Sequence, residues 1–317
     1  MMTINIAVIG ECMIELSIKG NVTNRSFGGD TLNTATYLAR LLANNQANIH
    51  YVTALGSDPF SQEMLQQWQQ ERIHTQLIQQ IDNKMPGLYA IVTDDCGERS
   101  FYYWRNDAAA RFWLKTAQTA SICQQIATFD YIYLSGISIA ILDEHSIDRL
   151  IELLESFKAN GGKVIFDNNY RPRLWRTQEY AKNVYSKILS YTDIAFLTQD
   201  DETLLWGDND YQDSILRSQK LGISEIIIKR GSESCIVVTD RERVELPANV
   251  IAQQNIVDTT AAGDSFSAGY LSVRLTGGSI QAAIKQGHDL AGEVIQHRGA
   301  IIPSCAMRHL TLMPNTL

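Results

Sequence analysis

Short apolar runs alternate with amphipathic stretches along this 317-residue chain. Ile4–Ile9 is the first run, and its nearly continuous apolar character is typical of a strand buried on both faces of a sheet. Comparable runs follow at 49–56, 131–135, 163–167, 194–198 and 225–229. Segments with helical periodicity separate most of them. Strands that alternate with helices predict a mainly parallel sheet with right-handed crossover connections.

Polar residues, glycine and proline mark the helix ends between these runs. Asp30 is predicted to cap the first helix, and Asp58 to cap a second helix whose first residue is Pro59. Further along the chain, Asp143 begins a helix that is expected to stop at the glycine pair 161–162. Two further helices are predicted at the end of the chain, at 263–276 and 279–297.

One region departs from this alternation. Residues 86–105 are rich in aromatic and basic side chains, and a turn at 94–97 within them predicts a β-hairpin. Partial alternation at 11–18 predicts a further strand. We expect these segments to form a small, discontinuous lid sheet, from about 11–29 and 86–106. The lid is predicted to lie over the carboxyl ends of the main strands, where open α/β sheets bind ligands.

The composition is compatible with one large α/β domain, and we predict that residues 1–317 form a single unit whose 45% hydrophobic content supplies the core. A net charge of −8 without any basic run argues against nucleic-acid binding. Five scattered cysteines without a C-x-x-C pair indicate reduced thiols and no zinc or disulfide framework. The apolar N-terminal run is too short for a signal peptide or membrane span, so we expect a cytoplasmic protein that binds no membrane.

A turn of small residues before the penultimate predicted helix is the strongest functional signal. Ala261, Ala262 and Gly263 let the backbone approach a ligand, and the helix that they open offers unpaired N–H groups to an anion. Asp264 lies beside that anion. A single carboxylate there could be only a favourable first-turn charge. Because Asp258 and Asp264 bracket the turn, the pattern favours a phosphate site.

The sequence at 258–264, Asp-Thr-Thr-Ala-Ala-Gly-Asp, resembles the C-terminal signature of the ribokinase-like (PfkB) carbohydrate kinases. Residues 28–35, Gly-Gly-Asp-Thr-Leu-Asn-Thr-Ala, resemble the N-terminal signature of the same family. The resemblance extends from about Ile4 to Pro303. It implies a ribokinase-like three-layer αβα sandwich with a mainly parallel central sheet and a small β-sheet lid.

The resemblance also implies roles for the residues of the two signatures. Asp264 would be the catalytic base, the 261–263 turn would be the anion hole, and Gly29 and Asn33 would contact the sugar. The family usually has glycine where this chain has Ala261, and we expect the alanine to adopt a helix-compatible conformation there.

ATP with Mg²⁺ is the phosphoryl donor that the resemblance implies. The Walker motif is absent, so the nucleotide must be held in another way. The candidate nucleotide contacts are Thr198, Lys229, Gly231, Ala261, Gly263 and His288. Lys229 could equally be a solvated charge at a strand end, and His288 a structural residue of a helix. Asp201 ends a segment that replaces the family's Asn-x-x-Glu motif and is a candidate metal contact, whereas Asp258 is a candidate for a monovalent cation, as in some relatives.

A separate group of residues indicates which kind of sugar is bound. Tyr89, Tyr103 and Arg105 lie on the predicted hairpin, and Arg171 follows a predicted strand. Two guanidinium groups exceed what a neutral hexose requires, and the planar fork of arginine suits a carboxylate. These residues are therefore expected to bind an acidic sugar. The alternatives are an exposed strand charge for Arg105 and a loop ion pair for Arg171.

Within the ribokinase-like family, the segments at 28–33, 101–105, 166–175 and 258–271 closely resemble those of the 2-keto-3-deoxygluconate kinases. This implies ATP-dependent phosphorylation of 2-keto-3-deoxy-D-gluconate at its terminal hydroxyl. The alternatives are a neutral-sugar kinase, fructokinase-like or ribokinase-like, and a catalytically silent sensor of sugar or nucleotide. The aromatic face of the lid also offers a surface through which two copies could pair as a homo-oligomer.

Overall fold

The computed structural model describes residues 3–42, 46–94 and 99–310. The strands are β1 Ile4–Ile9, β2 Met13–Lys19, β3 Val22–Gly28, β4 Ala47–Leu55, β5 Ile78–Gln80, β6 Leu88–Thr93, β7 Arg99–Trp104, β8 Tyr131–Ser135, β9 Lys163–Asp167, β10 Ile194–Thr198, β11 Glu225–Lys229, β12 Ser234–Thr239 and β13 Arg243–Pro247. The α-helices are α1 Asp30–Leu41, α2 Pro59–Gln70, α3 Thr119–Ile126, α4 Gly136–Ala140, α5 Glu144–Ala159, α6 Gln178–Leu189, α7 Gln199–Trp206, α8 Tyr211–Lys220, α9 Ala262–Arg274 and α10 Ile280–Val294.

Nine strands form the main sheet, in the order β13-β12-β11-β10-β9-β8-β1-β4-β5. The pairs from β11 to β5 are parallel, whereas β12 and β13 add an antiparallel edge. The predicted mainly parallel sheet is therefore confirmed. The sequence reading did not identify β5, which has only three residues, or the edge pair β12 and β13.

Helices cover both faces of this sheet, as the alternating side chains of β1 show. Ile6 and Val8 pack in a core cluster with residues of α1, α9 and α10, whereas Ala7 and Ile9 pack in a second cluster with residues of α5 and α6. Successive side chains of a strand point to opposite faces of the sheet, so the two clusters are the two sides of the sandwich. The predicted three-layer architecture is confirmed.

A second sheet of four strands, in the order β3-β2-β6-β7, forms the predicted lid. The hairpin β6–β7 is antiparallel, and β2 joins it in parallel through the register Ile14↔Leu88. The strand β3 was not predicted, because its residues are mostly polar and exposed and show no apolar alternation. The predicted turn at 94–97 lies largely outside the described residues.

The helix caps correct one expectation. Asp58 caps α2 by accepting hydrogen bonds from Phe60 N at 2.9 Å and Ser61 N at 3.1 Å, as predicted. The prediction that Asp30 caps α1 is wrong, because the N-cap is Gly29 and Asp30 is the first helical residue. Among the helices in the described ranges, none is long and apolar enough to cross a membrane.

Candidate active site

The two signature segments meet where α1 begins beside the first turn of α9. Asn33 Nδ2 donates a hydrogen bond to Asp264 Oδ2 at 2.8 Å, and Thr34 Oγ1 donates to the backbone oxygen of Asp264 at 3.3 Å. The structure thus brings the expected base into contact with an expected sugar contact. Asn33 is buried, and its Oδ1 atom has no protein partner, so this oxygen can accept a hydrogen bond from a ligand.

The environment of Asp264 prepares it to accept a proton near neutral pH. Burial raises the pKa of its carboxyl to about 7, and the negative charges of Asp30 and Asp167 act in the same direction. The hydrogen bond from Asn33 and the charge of Lys229 oppose this rise in pKa. A general base is most effective when its pKa lies near the working pH.

Asp30, predicted from the sequence only as a helix cap, is a carboxylate close to Asp264. Its Oδ2 atom accepts a hydrogen bond from Asn169 Nδ2 at 2.7 Å, and burial raises the pKa of its carboxyl. Asn169 itself has a positive φ of 28°, an uncommon conformation for a residue other than glycine. The Asp30 carboxylate therefore lies close enough to raise the pKa of the candidate base.

The small-residue turn before α9 has an unexpected backbone conformation. Ala261 is the N-cap of α9 with φ 61° and ψ 15°, which is left-handed, so the expectation of a helix-compatible conformation is wrong. An L-residue in this conformation costs roughly 1–2 kcal/mol relative to a right-handed one. Ala262 and Gly263 begin the helix, and the space beside Gly263 is open except for Lys229 Nζ, 3.7 Å from the position of an added Cβ atom. The N–H group of Gly263 can therefore be reached by an anion, whereas that of Ala262 donates to the Thr259 carbonyl at 3.3 Å.

Lys229 lies between this turn and a buried carboxylate. Its Nζ atom contacts Asp167 Oδ2 at 2.8 Å, and Ser267 Oγ donates to the same oxygen at 3.0 Å. Lys229 is mostly buried, so it is not simply a solvated charge at a strand end. Asp167 was not among the candidate residues. Its position as the last residue of a buried parallel strand, at the edge where ligands bind, is the signal that could have identified it.

The candidate metal contact Asp201 lies at the start of α7. Its carboxylate accepts a hydrogen bond from Tyr170 N at 3.2 Å and lies 3.5 Å from Arg171 Nη1, while burial raises its pKa. The neighbouring Thr198 donates its N–H to Asn168 Oδ1 at 3.1 Å. Within the described ranges, no group of three or more His, Cys, Asp or Glu side chains could hold a metal ion.

Two of the expected sugar contacts form an aromatic pair on the lid. The rings of Tyr89 and Tyr103 stack with centroids 5.9 Å apart, and the Tyr89 hydroxyl donates to Glu15. Gly29 lies at the base of the lid, where an added Cβ atom would stand 2.1 Å from the backbone oxygen of Glu11. The glycine is therefore required by close backbone approach.

The two arginines differ in their surroundings. Arg105 is almost completely buried and forms an ion pair with Glu11, which is also buried, while Arg105 Nε has no protein partner. Arg171 is half exposed, and its Nη1 donates to the Tyr170 carbonyl at 2.9 Å. Glu11 was not predicted. It follows β1 directly at the ligand-binding edge of the sheet, and that position is the only signal for it in the sequence.

The remaining candidates lie around α9 and α10. His288 is buried and packs edge-on against Phe266, with ring centroids 5.1 Å apart, which is compatible with a structural role. Gly231 follows β11 with a positive φ of 59°. Asp258 lies in the loop before α9, and its carboxylate contacts Arg99 of the lid strand β7 at 3.0 Å.

Comparison with known proteins shows that the chain is similar to sugar kinases. The family model described as pfkB family carbohydrate kinase matches residues 3–306. The 2-dehydro-3-deoxygluconokinase of Dickeya dadantii is 59% identical over 97% of this chain and 99% of its own length. Among solved structures, the 2-dehydro-3-deoxygluconokinase of Thermotoga maritima superposes with a TM-score of 0.81 at 19% identity, covering 98% of both chains. A fructokinase of Xylella fastidiosa with bound ATP superposes at 0.77 and 22% identity, covering 95% of this chain and 94% of its own.

Proposed function

The chain belongs to the pfkB family of carbohydrate kinases, and we propose that it transfers the terminal phosphoryl group of ATP to 2-keto-3-deoxy-D-gluconate. The product is 2-keto-3-deoxy-6-phospho-D-gluconate. The observation that carries this proposal is the 59% identity, over nearly the full length of both chains, to an enzyme named for this substrate, also called 2-dehydro-3-deoxygluconate. The enzyme is a phosphotransferase that acts on an alcohol group.

In the proposed mechanism, Asp264 accepts the proton of the attacking hydroxyl. Phosphoryl transfer requires little covalent help from the protein, so positioning and charge stabilisation dominate. The N–H group of Gly263 at the start of α9 faces the phosphoryl group, and the helix dipole favours its negative charge. The N–H group of Ala262 donates to the Thr259 carbonyl at 3.3 Å and would have to leave it to join the anion hole. Asn33 orients the Asp264 carboxylate and offers its free Oδ1 atom to a sugar hydroxyl.

Mg²⁺ enters with ATP in this proposal. The ion usually retains water and phosphate oxygens as ligands and needs few protein groups. Asp201 is the protein group that we propose for this role. Lys229 and the glycine turn at Gly231 lie at the ends of the strands that would border the triphosphate, and Thr198 and His288 complete the proposed nucleotide contacts.

The sugar acid is proposed to bind between the two signature segments and the lid. Arg105 Nε is buried without a protein partner, so it can donate to a carboxylate oxygen, and Arg171 can approach from the opposite loop. Tyr89 and Tyr103 would border the carbon chain, with Gly29 allowing close approach. Glu11 balances the charge of Arg105.

The proposal also includes a cytoplasmic location, pairing of two copies and a site for a monovalent cation. A cytoplasmic location fits a chain that consumes ATP and has scattered cysteines. Tyr102 and Trp104 are 52% and 61% exposed on the edge strand of the lid, and they offer a surface for pairing of two copies. A monovalent cation near Asp258 would compete with Arg99 for that carboxylate, so rates measured in potassium and in tetramethylammonium chloride test whether it binds.

A coupled assay of ADP formation with 2-keto-3-deoxygluconate, fructose and ribose tests the function directly. We expect rapid turnover only with the sugar acid. Equal or faster turnover with fructose or ribose would show that the enzyme is a neutral-sugar kinase instead. Absence of turnover with all three sugars, together with retained ligand binding, would favour the sensor.

A further inference from the structure

The two edge strands of the lid are each joined to the main body by an ion pair. On β3, Arg25 binds Glu63 of α2 through two nitrogens, at 2.8 and 3.0 Å. On β7, Arg99 Nη1 lies 3.0 Å from Asp258 Oδ1. The first pair joins the lid to α2, whereas the second reaches the loop that leads directly into the proposed phosphate-binding turn.

Asp258 organises that loop. Its Oδ1 atom accepts hydrogen bonds from Thr260 N at 3.1 Å and Thr260 Oγ1 at 2.7 Å, and its Oδ2 atom accepts one from Gly299 N at 3.2 Å. The chain then passes through the left-handed Ala261 into α9. The position of the Asp258 carboxylate therefore determines where the turn begins.

The Asp258 carboxylate stays negatively charged at neutral pH, so its attraction to Arg99 persists. Although burial acts in the opposite direction, Arg99, Thr260 and Gly299 hold the pKa of Asp258 at about 2. Asp258 is only 11% exposed, and Arg99 is 40% exposed. The carboxylate is thus held in a partly buried position, and the guanidinium reaches it from the solvent side.

The strand β7 extends from this contact toward the sugar site. Arg99, Phe101 and Tyr103 lie on one face of the strand, because alternate residues share a face. Tyr103 stands about 13 Å from Arg99 at the usual rise per residue, and it stacks on Tyr89 beside the proposed sugar site. Beyond the end of the strand, Arg105 forms its ion pair with Glu11. One strand therefore carries a contact to the phosphate side at its start and contacts to the sugar side at its end.

We propose that Arg99 is a positioning residue that couples the two substrates of the reaction. It joins the lid strand beside the sugar site to the loop that shapes the phosphate-binding turn, so binding of the sugar acid and binding of ATP strengthen each other. This inference rests on the proposed function for the identity of the sugar.

Hydrogen–deuterium exchange of the ligand-free protein tests the contact. We expect Arg99→Gln to raise exchange in peptides covering 257–263 by about twofold to fivefold, the range that a partly exposed ion pair contributes. Arg25→Gln is the matched control, since it breaks the other lid ion pair. It should raise exchange around β3 and leave 257–263 unchanged. Unchanged exchange at 257–263 in Arg99→Gln would overturn the proposal.

Calorimetric titration tests the coupling. The affinity for the ATP analogue AMP-PNP is measured with and without saturating 2-keto-3-deoxygluconate, and the ratio of the two dissociation constants measures the coupling. We expect the sugar acid to tighten AMP-PNP binding in the wild type. Arg99→Gln should reduce the ratio by about twofold to fivefold, whereas Arg25→Gln should preserve it. Asp258→Asn should reduce it similarly, and the double variant should add little because both changes remove one contact.

The two possible failures can be told apart. If Arg99→Gln and Arg25→Gln show the wild-type ratio, Arg99 does not couple the substrates and the proposal is wrong. If the wild type neither binds nor phosphorylates 2-keto-3-deoxygluconate, the proposed function is wrong. The exchange measurement, which needs no ligand, still decides in that case whether Arg99 holds the loop.

Discussion

The catalytic edge of the main sheet and the lid sheet are stabilised in different ways. At the catalytic edge, Asp167, Asn33 and Ser267 are buried. Asn33 donates a hydrogen bond to Asp264, and Ser267 donates one to Asp167, in each case between different elements of the core. In the lid, every residue of β7 is exposed, and β3 is nearly as exposed. Ion pairs such as Arg25–Glu63 and Arg99–Asp258 attach the lid to the body.

This difference separates the tasks of the enzyme. Hydrogen bonds between buried side chains would keep the proposed base and the proposed anion-binding turn in fixed geometry, which phosphoryl transfer requires. The edge strands β3 and β7 are mostly exposed and can move with little loss of apolar contact, whereas β2 and β6 carry the buried residues of the lid. We expect changes at the catalytic edge to lower kcat, and changes in the lid to alter the binding of the sugar.

The largest effect is expected from Asp264→Asn at the catalytic edge. The amide keeps the shape of the side chain but cannot accept the proton, so kcat should fall by about two to four orders of magnitude. Binding of AMP-PNP, measured by calorimetry, should be retained and serves as the control for folding. Turnover close to that of the wild type would show that another group accepts the proton.

The corresponding test in the lid is Arg105→Ala. Loss of a buried partner for a carboxylate costs on the order of 2–5 kcal/mol, so the KM for the sugar acid should rise steeply while the KM for ATP changes little. Arg105→Lys should restore only part of the affinity, because a point charge lacks the planar fork. Arg171→Ala is the comparison. Since Arg171 is half exposed, its effect on the KM for the sugar acid should be smaller.

These two arginines also allow the acidic-sugar proposal to be rejected. If Arg105 or Arg171 binds the carboxylate, its Ala variant should lose preference for the acid over the corresponding neutral sugar. If the arginine contacts only phosphate, the KM for ATP or kcat should change and the preference should remain. Unchanged kinetics in both variants would leave a pfkB-family kinase of unspecified substrate.

A smaller effect, but one that reports directly on burial, is the pH dependence of kcat/KM. Since the pKa of Asp264 is about 7, the base loses its charge as the pH falls below 7. We expect kcat/KM to decline about tenfold per pH unit well below that value. This decline should be absent from the residual activity of Asp264→Asn. A decline of kcat/KM centred near pH 4 would mean that the Asp264 carboxyl is not desolvated in the working enzyme.

The sequence predicts the catalytic edge better than it predicts the lid, and the reason is physical. Buried strands such as β1 carry continuous apolar runs, and the two signatures that meet at Asn33 and Asp264 contain residues of unusual type and order. The exposed strand β3 has no such run, because backbone hydrogen bonds to β2 hold it and few apolar contacts do. The pairing of Arg105 with Glu11 joins residues far apart in sequence, so no local pattern indicates it.

The smallest expected effect comes from Ala261→Gly, in the turn that the family usually builds with glycine. Ala261 is left-handed, so the change should relieve backbone strain, while the more flexible unfolded chain offsets part of the gain. We expect a net stabilisation of about 0.5–1 kcal/mol, measured by urea denaturation. The rate should change little, because the donors to phosphate are backbone N–H groups that alanine also has.

Ala262→Gly is the matched control. Residue 262 is helical, so glycine there should destabilise the protein by about 0.5–1 kcal/mol. A large gain in kcat for Ala261→Gly would mean that the alanine restrains the anion-binding turn, and the catalytic edge would then be less rigidly optimised than its burial indicates.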